Sequence, residues 1–113
     1  MIRLVDVPIR SAADLATKAR TLRALHVPGR PLLLPNAWDV ASAEHVAAAG
    51  FPAVATASAA IAPTLGFADG EGTPADEMLA AVARIAAAVA VPVTADLEGG
   101  IVGWEAAKRT RNP

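Results

Sequence analysis

PLLLPNAWDVASAEHVAAAGFPAVAT, residues 31–56, holds the pattern that decides the fold. Pro31 and Pro35 bracket three leucines, an apolar run too short for a helix that reads as a buried strand. Asn36-Ala-Trp-Asp39 follows as a turn, and Asp39 can cap a helix whose buried face is Val40, Ala43, Val46 and Ala47. Gly50 supplies its C-terminal stop. Phe51-Pro-Ala-Val-Ala-Thr56 is then a second strand. Short apolar strands separated by a helix imply a parallel sheet with a right-handed crossover.

Upstream, Ser11-Ala-Ala-Asp14 has the spacing of a capping box, with Asp where Glu or Gln is usual. Leu15, Ala19, Leu22 and Leu25 continue at helical spacing until Pro28-Gly29. His26 closes that helix. Downstream, Ala57 to Gly72 reads as a long loop, and a loop of that length is uncommon unless it is functional. Thr73 as cap and Pro74 at the first helical position open another helix, with Met78, Val82, Ile85 and Val89 as its stripe. Val91-Pro-Val-Thr-Ala-Asp96 is a third strand, and Glu98-Gly-Gly100 begins another loop. No linker divides these elements, so residues 1–113 read as one partial domain.

Composition narrows the function classes. Over half the chain is hydrophobic, but aromatics are only 4%, and alanine, which buries little area, fills much of the apolar share. With no cysteine there are neither disulfides nor thiolate metal sites, which is compatible with the cytoplasm. Arg84, Pro92 and Gly50 interrupt the apolar stretches well short of the ~18 residues of a membrane span. The N-terminus lacks the apolar region of a signal peptide. A net charge of −1 argues against a nucleic-acid partner. Charge is unevenly distributed: residues 1–30 carry six Arg/Lys against Asp6 and Asp14, whereas residues 36–98 carry eight carboxylates against Arg84 alone. Such an acidic segment suits a metal cation or, more plainly, a solvated surface.

The polar residues recur at one place in the pattern. Asn36 follows the first strand, Thr56 and Ser58 lie at and after the end of the second, and Asp96 ends the third, with Glu98 two residues on. C-terminal strand ends of a parallel sheet lie on one side, where such folds bind ligands. Asp96-Leu-Glu98 spaces two carboxylates for one hard cation such as Mg²⁺, which takes oxygen ligands and keeps several waters. Asp69 is either a third acid carried by the long loop or an Asp-Gly turn residue. His45 reads as an exposed mid-helix residue, and Trp38 as packing beside the site.

PNAWD at 35–39, TASAAIAPTLGFADG at 56–70 and TADLEGG at 94–100, in this order and spacing, resemble the first third of an isocitrate lyase/phosphoenolpyruvate mutase superfamily enzyme. The resemblance covers residues 12–100 and leaves 101–113 as a divergent tail. It implies an α/β fold of TIM type, here an incomplete (β/α)8 barrel of about three parallel strands with flanking helices. It also implies Mg²⁺ at the strand C-termini and a small carboxylic-acid substrate, a 2-oxo or 2-hydroxy acid. A C–C or C–P bond of that acid is cleaved or rearranged through a pyruvate-enolate-like species. By the same resemblance Asp96 is the principal metal ligand and Glu98 holds a metal-bound water. Asp69 is an acid near the substrate. Thr56, Ala57 and Ser58 bind the substrate carboxylate or carbonyl, partly through backbone N–H, while Asn36 and Asp39 support the wall of the site.

The family motif continues as aromatic-Gly after Gly100, whereas Ile101-Val102 follows here. A fourth strand with another Glu, and a lid carrying Lys and often Cys-Gly-His, are also expected and do not follow. The expectation is thus the N-terminal part of a lyase or phosphomutase-like enzyme. The alternative is an inactive α/β module that forms a homo-oligomer or binds a homologue.

Overall fold

The computed structural model describes residues 11–69 and 72–97, and Glu98 and the tail expected at 101–113 lie outside them. The elements run α1 (Ala12–Leu25), β1 (Asn36–Ala37), α2 (Val40–Ala48), β2 (Val54–Thr56), α3 (Ser58–Thr64), α4 (Ala75–Ala88) and β3 (Val93–Ala95). The three strands are parallel in the order β1-β2-β3. This is the α/β arrangement expected for part of a TIM-type barrel.

Local chemistry explains most of the boundaries. Ser11 accepts a hydrogen bond from the Asp14 N–H at 3.1 Å, starting α1, and His26 ends it with its backbone N–H on the Arg23 carbonyl. Asp39 caps α2 in a reciprocal box with Ser42. Gly50, at φ 93, takes the left-handed conformation past its end. Helix α4 begins one residue later than expected: Pro74 is the capping position, no side chain caps it, and Thr73 is buried.

Two expectations fail. The leucine run 31–35 is not a buried strand, since Leu33 is 71% exposed. Pro31 and Pro35 have no N–H to give a ladder, so parallel pairing begins only where Pro35 accepts from the Ala55 N–H and Asn36 faces Ala55. Asn36 therefore lies inside β1 and not after it. The stretch 57–72 is not all loop, because Ser58–Thr64 forms α3. Pro63 sits in its last turn, and a Schellman closure follows. The Gly66 N–H donates to the Pro63 carbonyl at 3.1 Å and the Phe67 N–H to the Ala62 carbonyl at 2.9 Å, with Gly66 at φ 87.

The core lies between the sheet and α2, α3 and α4, built from Ala37, Ala43, Val54, Ile61, Met78 and Ile85. Val54 and Val93 are paired in register and so point to the same, helix-covered face. Asn36, Ala55 and Thr94 form the alternate rung on the opposite face. Helix α1 contributes no buried residue. Its Leu15, Lys18 and Leu22 line a cleft of about 170 Å³ with Ala86, Pro92 and Val93, and the Lys18 ammonium donates to the Val89 carbonyl at 2.9 Å. No helix among the described residues is long and apolar enough to cross a membrane.

Candidate functional site

Parallel pairing brings the ends of β2 and β3 side by side. Thr56 stands opposite Ala95, so the next residue of that chain, Asp96, emerges beside it. The Asp96 N–H donates to Thr56 Oγ1 at 3.2 Å, and Ser58 Oγ donates to Asp96 Oδ2 at 3.0 Å. Both hydroxyl residues are nearly inaccessible, Thr56 at 2% and Ser58 at 4%, whereas Asp96 is exposed. The result is an aspartate at the C-terminal strand ends whose carboxylate is held by the buried Ser58 hydroxyl and whose backbone N–H is held by the buried Thr56 hydroxyl. Polar groups pinned this way at the end of a parallel sheet lie where such folds place their chemistry.

The other expected site residues are placed differently. Asn36 is exposed on the strand next to Thr56, facing Ala55, and lines a shallow cavity of about 370 Å³ with Trp38, Ser42, His45 and Val46. Asp69 is exposed in the loop after α3 and takes no part in that group's hydrogen bonds. The Ala57 N–H donates to the Ala37 carbonyl at 3.2 Å, so it is not offered to a substrate. Trp38 is 45% exposed and not packed away. With Val40, Leu65, Arg84 and Ile85 it borders a second cavity, of about 410 Å³. Among the described residues no group of three or more His, Cys, Asp or Glu side chains is gathered as a metal cluster.

Asp39 has a clear electrostatic signature. The Ser42 N–H, then the Ser42 hydroxyl, hold its carboxyl below the ordinary aspartate value, against a small opposing effect of burial. A carboxyl lowered on folding stabilises the native state above its unfolded pKa, and that contribution is lost as pH falls through the folded value. The Asp39→Ala variant should therefore melt at a lower temperature than the parent at pH 7, and the gap should narrow below about pH 4. Melting curves across pH 2–7 check this, and a gap unchanged down to pH 2 would refute it.

The sequence matches the family described as Phosphoenolpyruvate phosphomutase over residues 22–111, running past the segment that carries the motifs. It is 38% identical over 76 residues to uncharacterized proteins from two strains of Mycobacterium tuberculosis, covering 67% of this chain and 29% of theirs. A crystal structure from Burkholderia cenocepacia described as a phosphonomutase superposes with a TM-score of 0.70 at 47% identity, over 74% of this chain and 34% of that one. Another from the same organism, described as a lyase/mutase, gives 0.72 at 41% identity, over 78% and 31%. The chain thus spans about a third of the length of the relatives it matches. On the extent of the family match and these superpositions, the chain belongs to the phosphoenolpyruvate phosphomutase family of the isocitrate lyase/phosphoenolpyruvate mutase superfamily.

Proposed function

We propose that this chain supplies the metal-site part of a Mg²⁺-dependent lyase or phosphomutase-like enzyme. Its substrates would be small 2-oxo or 2-hydroxy acids, acted on at a C–C or C–P bond through an enolate-like species. The observation that carries the reading is Asp96, exposed at the strand ends, with its carboxylate fixed by Ser58 and its backbone N–H by Thr56. Its oxygen chemistry fits a hard cation, and Mg²⁺ is commonly held by only one or two carboxylates plus water and substrate oxygens. Asp96 would hold the ion directly and Glu98 one of its waters. When bound, such a cation supplies positive charge where a substrate oxygen becomes negative.

The chain's own residues then have distinct tasks. The Ser58 hydroxyl keeps the Asp96 carboxylate in place, and the Thr56 hydroxyl its backbone, without a rearrangement at the moment of reaction. The strand-end segment at Thr56 forms the floor against which a substrate carboxylate lies. Asp69 is the third acid, presented by the α3–α4 loop. A non-catalytic module is the second reading, favoured by the absence, among the described residues, of a cluster of three or more His, Cys, Asp or Glu side chains.

Calorimetry with Mg²⁺ on the full chain tests the assignment. Asp96→Asn should weaken binding at least about 10-fold, the scale on which loss of even an outer-shell partner acts. Asp69→Asn should weaken it less. Equal Mg²⁺ affinity for parent and Asp96→Asn would sink the metal site. Mg²⁺-dependent turnover of any 2-oxo or 2-hydroxy acid would decide for the enzyme over the module.

A further inference from the structure

Ser58 and Thr56 stand two residues apart, one the first residue of α3 and the other the last of β2, and both turn their hydroxyls to the same residue across about forty positions of chain. The direction of each bond is set by chemistry. An ionised carboxylate only accepts, so Ser58 must donate to Asp96 Oδ2; a backbone N–H only donates, so Thr56 Oγ1 must accept from Asp96. A hydroxyl has one proton. That of Ser58 is committed to Asp96, whereas that of Thr56 is not used in this pair. Fixing the Asp96 backbone N–H and one carboxylate oxygen also sets the direction of the other oxygen, because the carboxylate is planar and two torsions separate it from the backbone.

We infer that Ser58 is a positioning residue: its hydroxyl aims the Asp96 carboxylate at the cation. The inference rests on the metal reading proposed above and adds a role to the one that resemblance alone assigns to Ser58. An isolated Asp side chain at an exposed strand end samples several rotamers, and a ligand must be in the right one before a cation can use it. The buried hydroxyl removes that freedom beforehand, as outer-shell partners do for metal ligands generally. Ser58 is itself held, since it lies 4% exposed at the junction of β2 and α3.

The experiment is Mg²⁺ calorimetry on the full chain for the parent, Ser58→Ala, Ser58→Thr and Asp96→Asn, with a melting curve for each. Ser58→Ala should lose about 10-fold in Mg²⁺ affinity while its melting temperature stays close to that of the parent. Ser58→Thr, which keeps the hydroxyl, should recover most of that affinity. If Asp96→Asn loses binding while Ser58→Ala binds as the parent does, the positioning role is overturned and the metal site stands. The role is also overturned if Ser58→Thr binds as poorly as Ser58→Ala with an unchanged melting temperature. A parent chain that binds no Mg²⁺ overturns both the inference and the reading beneath it.

Discussion

Ile85→Ala should leave the chain largely unfolded at 37 °C, while Leu33→Ala should be almost silent. Ile85 is 1% exposed and packs with Val54, Ile61 and Met78 between the sheet and α4. Truncating a buried Ile to Ala costs about 2–5 kcal/mol through lost transfer energy and the cavity left behind. A small domain has only about 5–15 kcal/mol in total. Here the core is small, because most of its positions are Ala or Val, and the neighbours offer few large side chains to collapse into the gap. At about 4–8 °C per kcal/mol for a domain near this size, the melting temperature should drop by at least about 8 °C. Leu33 is 71% exposed, and a substitution there should stay within about 0.5 kcal/mol. Thermal unfolding of the two variants checks the pair. A Leu33→Ala variant as damaged as Ile85→Ala would put the leucine run back in the core.

That contrast shows what was legible in the sequence and what was not. Helices α1 and α2 were readable because each declares itself twice, by an apolar stripe and by a terminus at which Ser11, Asp39 and Gly50 behave as their types dictate, whereas α4 was readable by its stripe of Met78, Val82 and Ile85. The leucine run misled because apolar content marks burial only where the backbone can also pair, and prolines at 31 and 35 cannot donate. Helix α3 was hidden because Pro63 interrupts the helical pattern in sequence, although so near the end of a seven-residue helix it forfeits only one backbone bond. Gly66 followed by Phe67 was the available signal, since a left-handed glycine and then an apolar residue is how a Schellman closure looks in sequence. In the site, strand-end position correctly brought Thr56, Ser58 and Asp96 together. It could not place Asp69, because a residue in a loop is positioned by neighbours that periodicity does not describe.

The second large effect concerns the outer edge of β3. The Val54 N–H donates to the Pro92 carbonyl, and alternate residues of a parallel strand turn their backbone groups to alternate sides. Val93 and Ala95 therefore direct their N–H and C=O groups away from β2, and among the described residues β3 pairs with β2 alone. An unpaired edge is a template for another chain. The 113-residue chain should self-associate at micromolar concentration and above, or melt broadly when kept dilute. Ala95→Pro removes one outward N–H without touching a bond to β2, and should shift the chain strongly toward monomer. Light scattering over a concentration series, with thermal unfolding alongside, is the measurement. A monodisperse parent with a sharp two-state transition would show that this edge is already satisfied.

The bond from Lys18 to the carbonyl of Val89 has a consequence in time. It joins groups 71 positions apart, a cation to the C-terminal end of α4, where the helix dipole favours positive charge. Helix α1 buries no residue, and a lone helix of its 14 residues is marginal in water. On a ribosome adding about 5–20 residues per second, α1 emerges roughly 4–14 s before the carbonyl that receives its lysine. For that interval the N-terminal segment is accessible to chaperones and proteases, and the order of synthesis is the reverse of the order in which this helix can be secured.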